Sequence, residues 1–254
     1  MDIYGNWVIE VKNLHKQYNG IRAVSGLNFK VRYGEIHGLL GPNGAGKTTT
    51  LKIIVGLIKK DGGEVKVFGK DIDKDPYSYK KHIGYLPEYP ELPLYLTVEE
   101  FIRYVGKIRD VPDDVLNKRI NDFLEIFEIS NRRDELIANL SQGMKQKVAI
   151  IASLIHRPRL VILDEPFIGI DPMGQKIIKD LLVSWVESGS SILVSTHALD
   201  TAERLCDTVT IINNGVNIAT GTLEELRSKA KAKKGSTLEE IFIKLLEKKK
   251  AKEF

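Results

Sequence analysis

The sequence predicts an α/β fold: a mostly parallel central sheet, an N-terminal antiparallel β portion and an inserted α-helical subdomain. Three observations carry that prediction. Short, mainly apolar runs at 35–40, 83–86, 160–165 and 191–195 read as strands, and those continuous in apolar residues suit burial on both faces of a parallel sheet. Helical spacing at 49–58 and 172–187 places helices between such runs, giving β-α-β alternation. From Pro90 to residue 156 the pattern is helical only, at 97–110, 113–127 and 141–156.

Taken in order, 7–11 and 27–31 are β-like runs separated by a polar, glycine-containing segment at 19–26, an antiparallel start. Tyr18 closes the first of them, where an aromatic ring can stack on a purine. The run 63–69 is a strand between glycines, and 83–86 ends at Pro87-Glu88. Thr97 with Glu100 forms a capping box at the first helix of the inserted lobe. The runs 209–212 and 216–219, joined through Asn213-Asn214-Gly215, read as a hairpin. Helices at 222–230 and 237–250 follow. The expected organisation is a domain over 1–221, with a core at 1–89 and 157–221 and the helical lobe at 90–156, then a basic helical tail at 222–254.

Composition excludes several classes. The chain has 254 residues, 43% apolar and 28% charged, a balance suited to one large core or a core with a smaller lobe. No stretch approaches the length of a membrane span, and the N-terminus lacks the basic-then-apolar pattern of a secretion signal. Cys206, the single cysteine, forms no internal disulfide and fits a small packing residue in a reducing compartment. The net charge of +4 hides an asymmetry: from Arg227 onward ten Lys and Arg face four Asp and Glu, a local +6 that leaves −2 for the body. A nucleic-acid partner is therefore not expected. The tail's charge suits a solvated helix face or an anionic membrane surface.

The chemistry centres on Gly41-Pro42-Asn43-Gly44-Ala45-Gly46-Lys47-Thr48, which fits the phosphate-loop pattern G-x-x-x-x-G-K-[ST] and lies between a strand and a helix, as that pattern must. Glycines let the backbone curl so that N–H groups converge on an anion, and the helix N-terminus adds partial positive charge. The fold is thus a P-loop NTPase, with Thr49 continuing the nucleotide contact. Lys47 is expected at the β and γ phosphates and the Thr48 hydroxyl on Mg²⁺. Asp164, ending a strand, suits Mg²⁺ through its water shell, and Glu165 suits the attacking water. His197 follows an apolar run to the carboxyl edge of the sheet, where it can contact a γ phosphate.

In combination these features resemble the ATP-binding-cassette (ABC) family along nearly the whole chain. Leu140-Ser141-Gln142-Gly143-Met144 is similar to its signature segment LSGGQ, keeping Ser141 and Gly143 while Gln142 and Met144 depart from it. The resemblance implies that Ser141 and Gly143 bind the γ phosphate held by a second subunit. It assigns Tyr18 to adenine stacking, Gly169-Ile170-Asp171 to the intersubunit D-loop and His197 to the switch histidine. Glu88 stands at the usual Q-loop glutamine, where a carboxylate can face Mg²⁺ or water. Glu88, Gln142, Met144 and the tail segment 238–245 look like cassettes serving ABC-2-type exporters. The expectation is an ATP- and Mg²⁺-dependent ATPase, catalytic through Glu165, His197 and Lys47. It pairs with a second such subunit, the same chain or a close paralogue. It docks on integral-membrane permease subunits, placing it in the cytoplasm on the inner face of the cell membrane. The alternatives are a soluble cassette ATPase of the cofactor-assembly type and a plain P-loop kinase.

Overall fold

The computed structural model describes residues 6–250. Strands β1 (Trp7–Tyr18) and β2 (Ile21–Arg32) form an antiparallel hairpin, and β3 (Ile36–Leu40) opens a second sheet. β4 (Gly62–Val67) pairs with the free edge of β1, and β5 (Lys70–Asp71) with β4, in the order β2-β1-β4-β5. The hairpin strands run far past the predicted 7–11 and 27–31. Its turn is at Asn19-Gly20, both with positive φ, and the 19–26 segment is largely strand. Shifts in the β1–β2 register, near Asn13 at φ 47°, break the alternation that would have revealed this length.

The second sheet adds β6 (Ile83–Leu86), β7 (Leu160–Asp164), β8 (Ser191–Thr196), β9 (Thr208–Asn213) and β10 (Val216–Gly221) in the order β10-β9-β3-β8-β7-β6. All neighbours are parallel except the β9–β10 hairpin. Every residue of β3, β7 and β8 is buried, which is why these strands read as unbroken runs. Alternate residues face opposite layers. Leu160, Ile162 and Leu193 pack toward α1 (Lys47–Ile54) and the antiparallel sheet. Val161, Leu163, Ile192 and Val194 pack toward the helical side.

The lobe consists of α2 (Val98–Ile108), α3 (Asp113–Ile126) and α4 (Gln142–Leu154), whose apolar faces join one cluster with the sheet. The Thr97–Glu100 capping box is formed: Thr97 N–H donates to Glu100 Oε2 at 2.8 Å and Glu100 N–H to Thr97 Oγ1 at 3.2 Å. α5 (Pro172–Glu187) and α6 (Leu199–Leu205) flank β8, with Cys206 just past the end of α6. Burial pushes the Cys206 thiol up to about 12, the behaviour of a packing residue. The basic tail is anchored to the body. α7 (Leu223–Lys229) and α8 (Leu238–Lys250) bury Leu226, Leu238, Ile241 and Leu245 against Leu40, Ala202 and Ile211. Among the described residues no helix is long and apolar enough to cross a membrane.

Sheet order positions the site. The central strand β3 lies beside β8, and β8 beside β7, so Leu40 pairs with Thr196 and Ser195 with Asp164 at one edge. The phosphate loop, Asp164-Glu165 and His197 therefore leave the sheet side by side.

Candidate nucleotide site

Gly46 is the N-cap of α1 at φ 99°, with no side-chain cap. A Cβ there would lie 2.5 Å from the Ala23 carbonyl oxygen, so both backbone angle and space require glycine. The first N–H groups of α1 thus lack the side-chain acceptor that usually satisfies them. The loop is clamped from outside: Gly215 N–H donates to the Ala45 carbonyl at 3.0 Å, and Ser25 N–H to the Gly215 carbonyl at 2.7 Å. Buried Lys47 donates from Nζ to the carbonyls of Gly41 at 2.7 Å and Pro42 at 3.3 Å, and lies 3.4 Å from Glu165 Oε1.

These groups face a 380 Å³ cleft lined by Tyr18, Ala23, every residue from Pro42 to Thr49, Glu88 and Glu165. Tyr18, 44% exposed, leaves ring surface available for stacking. Asp164 is wholly buried; Ser195 donates to its Oδ1, while Oδ2 has no hydrogen-bond partner among the described residues. Burial pushes the Asp164 carboxyl up, the hydroxyls of Ser195 and Thr48 draw it down, and the charges of Glu88 and Glu165 raise it again. Glu165 adopts φ 49°, a left-handed backbone unusual for a side chain of its size, and donates its N–H to the Ser195 carbonyl at 3.1 Å. Its Oε1 lies 2.9 Å from Nδ1 of half-exposed His197. Where the Glu165 carboxylate is the acceptor, the donor of this contact is the His197 Nδ1–H.

Tyr18, Pro42 to Thr49, Glu88 and Glu165 therefore line one cleft; His197 joins it through Glu165, Asp164 is buried next to Glu165 without lining it, and Gly41 precedes the lining residues. Ser141, Gly143 and Asp171 do not line it. Ser141 caps α4 by accepting from Met144 N–H at 3.3 Å, and Asp171 caps α5 by accepting from Gly174 N–H at 2.9 Å. A Cβ on Gly143 would sit 2.9 Å from the Gly169 carbonyl, so the signature segment and the 169–171 loop form one surface. Gln146 and Gln175 brace the segment between Glu165 and Asp171 through the carbonyls of Pro166, Phe167 and Ile170. Sequence reasoning missed these two glutamines and Ser195. The only available signal for Ser195 was a hydroxyl two residues before a histidine at a strand end.

Residues 24–168, more than half of the chain, match the family model for the ABC transporter. The Nod factor export ATP-binding protein I of Ralstonia nicotianae is 36% identical over 86% of this chain and 68% of its own length. The ABC-type transporter ATP-binding protein EcsA of Bacillus subtilis is 35% identical over 94% of this chain and 96% of its own. A solved structure of the ATP-binding subunit of an ABC transporter superposes with a TM-score of 0.89 at 35% identity, covering 94% of this chain and 99% of that one. Phosphate loop, paired carboxylates and histidine thus sit on a fold and sequence shared with these proteins, and the chain belongs to the ABC transporter family as an ATP-binding, ATP-hydrolysing transporter subunit.

Proposed function

We propose that this chain energises export by hydrolysing Mg²⁺-bound ATP in a site completed by a second cassette, while docked on separate membrane subunits at the inner face of the membrane. The observation that carries the hydrolytic part is Glu165: buried, held in a left-handed backbone, and within reach of both Lys47 and His197. The α1 N–H groups and Lys47 bind the β and γ phosphates, and Tyr18 stacks on the adenine. Glu165 takes the proton of the attacking water at its carboxylate, and His197 keeps that carboxylate oriented. The oxygen donors fit Mg²⁺. Asp164 Oδ2 is buried without a partner, Thr48 and Glu88 line the cleft, and no three His, Cys, Asp or Glu among the described residues form a ready-made metal cage. That suits an ion that keeps its waters and is held partly by substrate phosphates. When bound, Mg²⁺ screens the phosphate charge that develops during transfer.

Ser141 and Gly143 lie outside their own cleft on an exposed helix end, which supports their reading a phosphate on a second copy. On the lobe side Tyr89, Tyr95, Tyr104 and Ile108 are exposed, apolar surface that supports docking on a membrane subunit. The Nod factor export relative supports the outward direction. Glu165→Gln tests the reading. It should bind ATP normally, lose at least about a hundredfold in turnover and accumulate as an ATP-bound dimer on size-exclusion chromatography. Normal steady-state turnover in that variant would sink the general-base role.

A further inference from the structure

Ser195 is wholly buried in β8, directly opposite Asp164 in the parallel ladder. Its hydroxyl donates to Asp164 Oδ1, and its carbonyl accepts the Glu165 N–H at 3.1 Å. One residue of the neighbouring strand therefore holds both Asp164 and Glu165. The two contacts differ in what can replace them. Any residue at 195 supplies the carbonyl, whereas only a side-chain donor supplies the bond to Asp164.

That bond has a directional consequence. A carboxylate with both oxygens free can swap them by rotating about its terminal bond, but with Oδ1 engaged it is fixed in one orientation. Asp164 is completely enclosed, so water does not compete for Oδ1, and among the described residues Oδ2 has no hydrogen-bond partner. We propose that Ser195 is a positioning residue for the ATPase reaction: its hydroxyl fixes the Asp164 carboxylate so that Oδ2 is presented to nucleotide-bound Mg²⁺. This rests on the reading of Asp164 as the Mg²⁺-facing carboxylate. Groups that orient a metal-facing carboxylate from behind typically change metal affinity by about ten- to a hundredfold when removed.

The test is equilibrium binding of a fluorescent ATP analogue to the full chain, in EDTA and across a Mg²⁺ titration. Ser195→Ala should leave the EDTA affinity within about twofold and raise the half-saturating Mg²⁺ concentration about tenfold. Ser195→Thr keeps a hydroxyl and should stay near the wild-type Mg²⁺ requirement. Should the alanine variant not fold, Ser195→Cys, close in shape and a weak donor, should show the same rise. An unchanged Mg²⁺ requirement in a folded Ala or Cys variant overturns the proposal. So does an equal loss of affinity with and without Mg²⁺, which marks general damage to the cleft. Wild-type binding that ignores Mg²⁺ overturns the reading of Asp164, and the role of Ser195 with it.

Discussion

Two helices begin at positions the proposed reaction uses for phosphate, and they begin in opposite ways. α1 starts from Gly46, which offers no side-chain acceptor to its leading N–H groups beside the cleft. α4 starts from Ser141, whose hydroxyl already accepts from Met144 N–H. Beside α1 the unmet demand continues: a buried carboxylate oxygen of Asp164 without a hydrogen-bond partner among the described residues, and two further carboxylates, Glu88 and Glu165, whose charges act on Asp164. Beside α4 it does not, since Asp171 satisfies α5 and Gly143 packs on Gly169. One region is incomplete until a ligand arrives. The other is complete within the chain and has only its outer surface to offer.

Lys47→Ala breaks the first region most severely, because it removes the cation from the loop and leaves Glu165 buried without it. ATP affinity should fall about a hundredfold or more in equilibrium binding. Ser141→Ala sharpens the contrast. Loss of the cap should destabilise the chain by about 1 kcal/mol in denaturant unfolding. ATP affinity of the single chain should stay within about twofold, while steady-state ATPase falls about tenfold. Retained turnover would detach the signature segment from the reaction. The smallest effect concerns the burial of Asp164. Burial holds the folded-state pKa of Asp164 above its ordinary value, so its ionised form costs stability at neutral pH, and the wild-type chain is relieved as pH falls through the raised value. Asp164→Asn should therefore melt higher than wild type at pH 7 without ligand, and that margin should shrink on acidification.

The same contrast explains what was legible in the sequence. The phosphate loop announces itself because its demands are local: glycine where φ is positive, then lysine and threonine on the helix that follows. Strands β7 and β8 were readable because burial on both faces leaves an unbroken apolar run. The outer halves of β1 and β2 were not. His15, Lys16, Gln17 and Arg22 project from a partly exposed hairpin with register shifts, and such residues look like a loop. Charge counting marked the tail as basic, but did not reveal how firmly Leu238, Ile241 and Leu245 fasten its last helix to Leu40 and Ala202. Ser195 was invisible for a different reason. A serine in a buried strand acquires meaning only from what stands opposite it, and cross-strand register is a property of the sheet rather than of either segment.

The clamp on the loop by Gly215 carries a consequence for synthesis. The strand that leads into Gly41 pairs on both sides with strands beyond Glu187, and the turn that pins Ala45 arrives later still. A ribosome that has released the first two-thirds of this chain has made every residue of the phosphate loop but neither the strands that pair with β3 nor the turn that pins Ala45. Such long-range pairings form late and slowly. The loop thus gains its full set of contacts only once translation has passed the far hairpin.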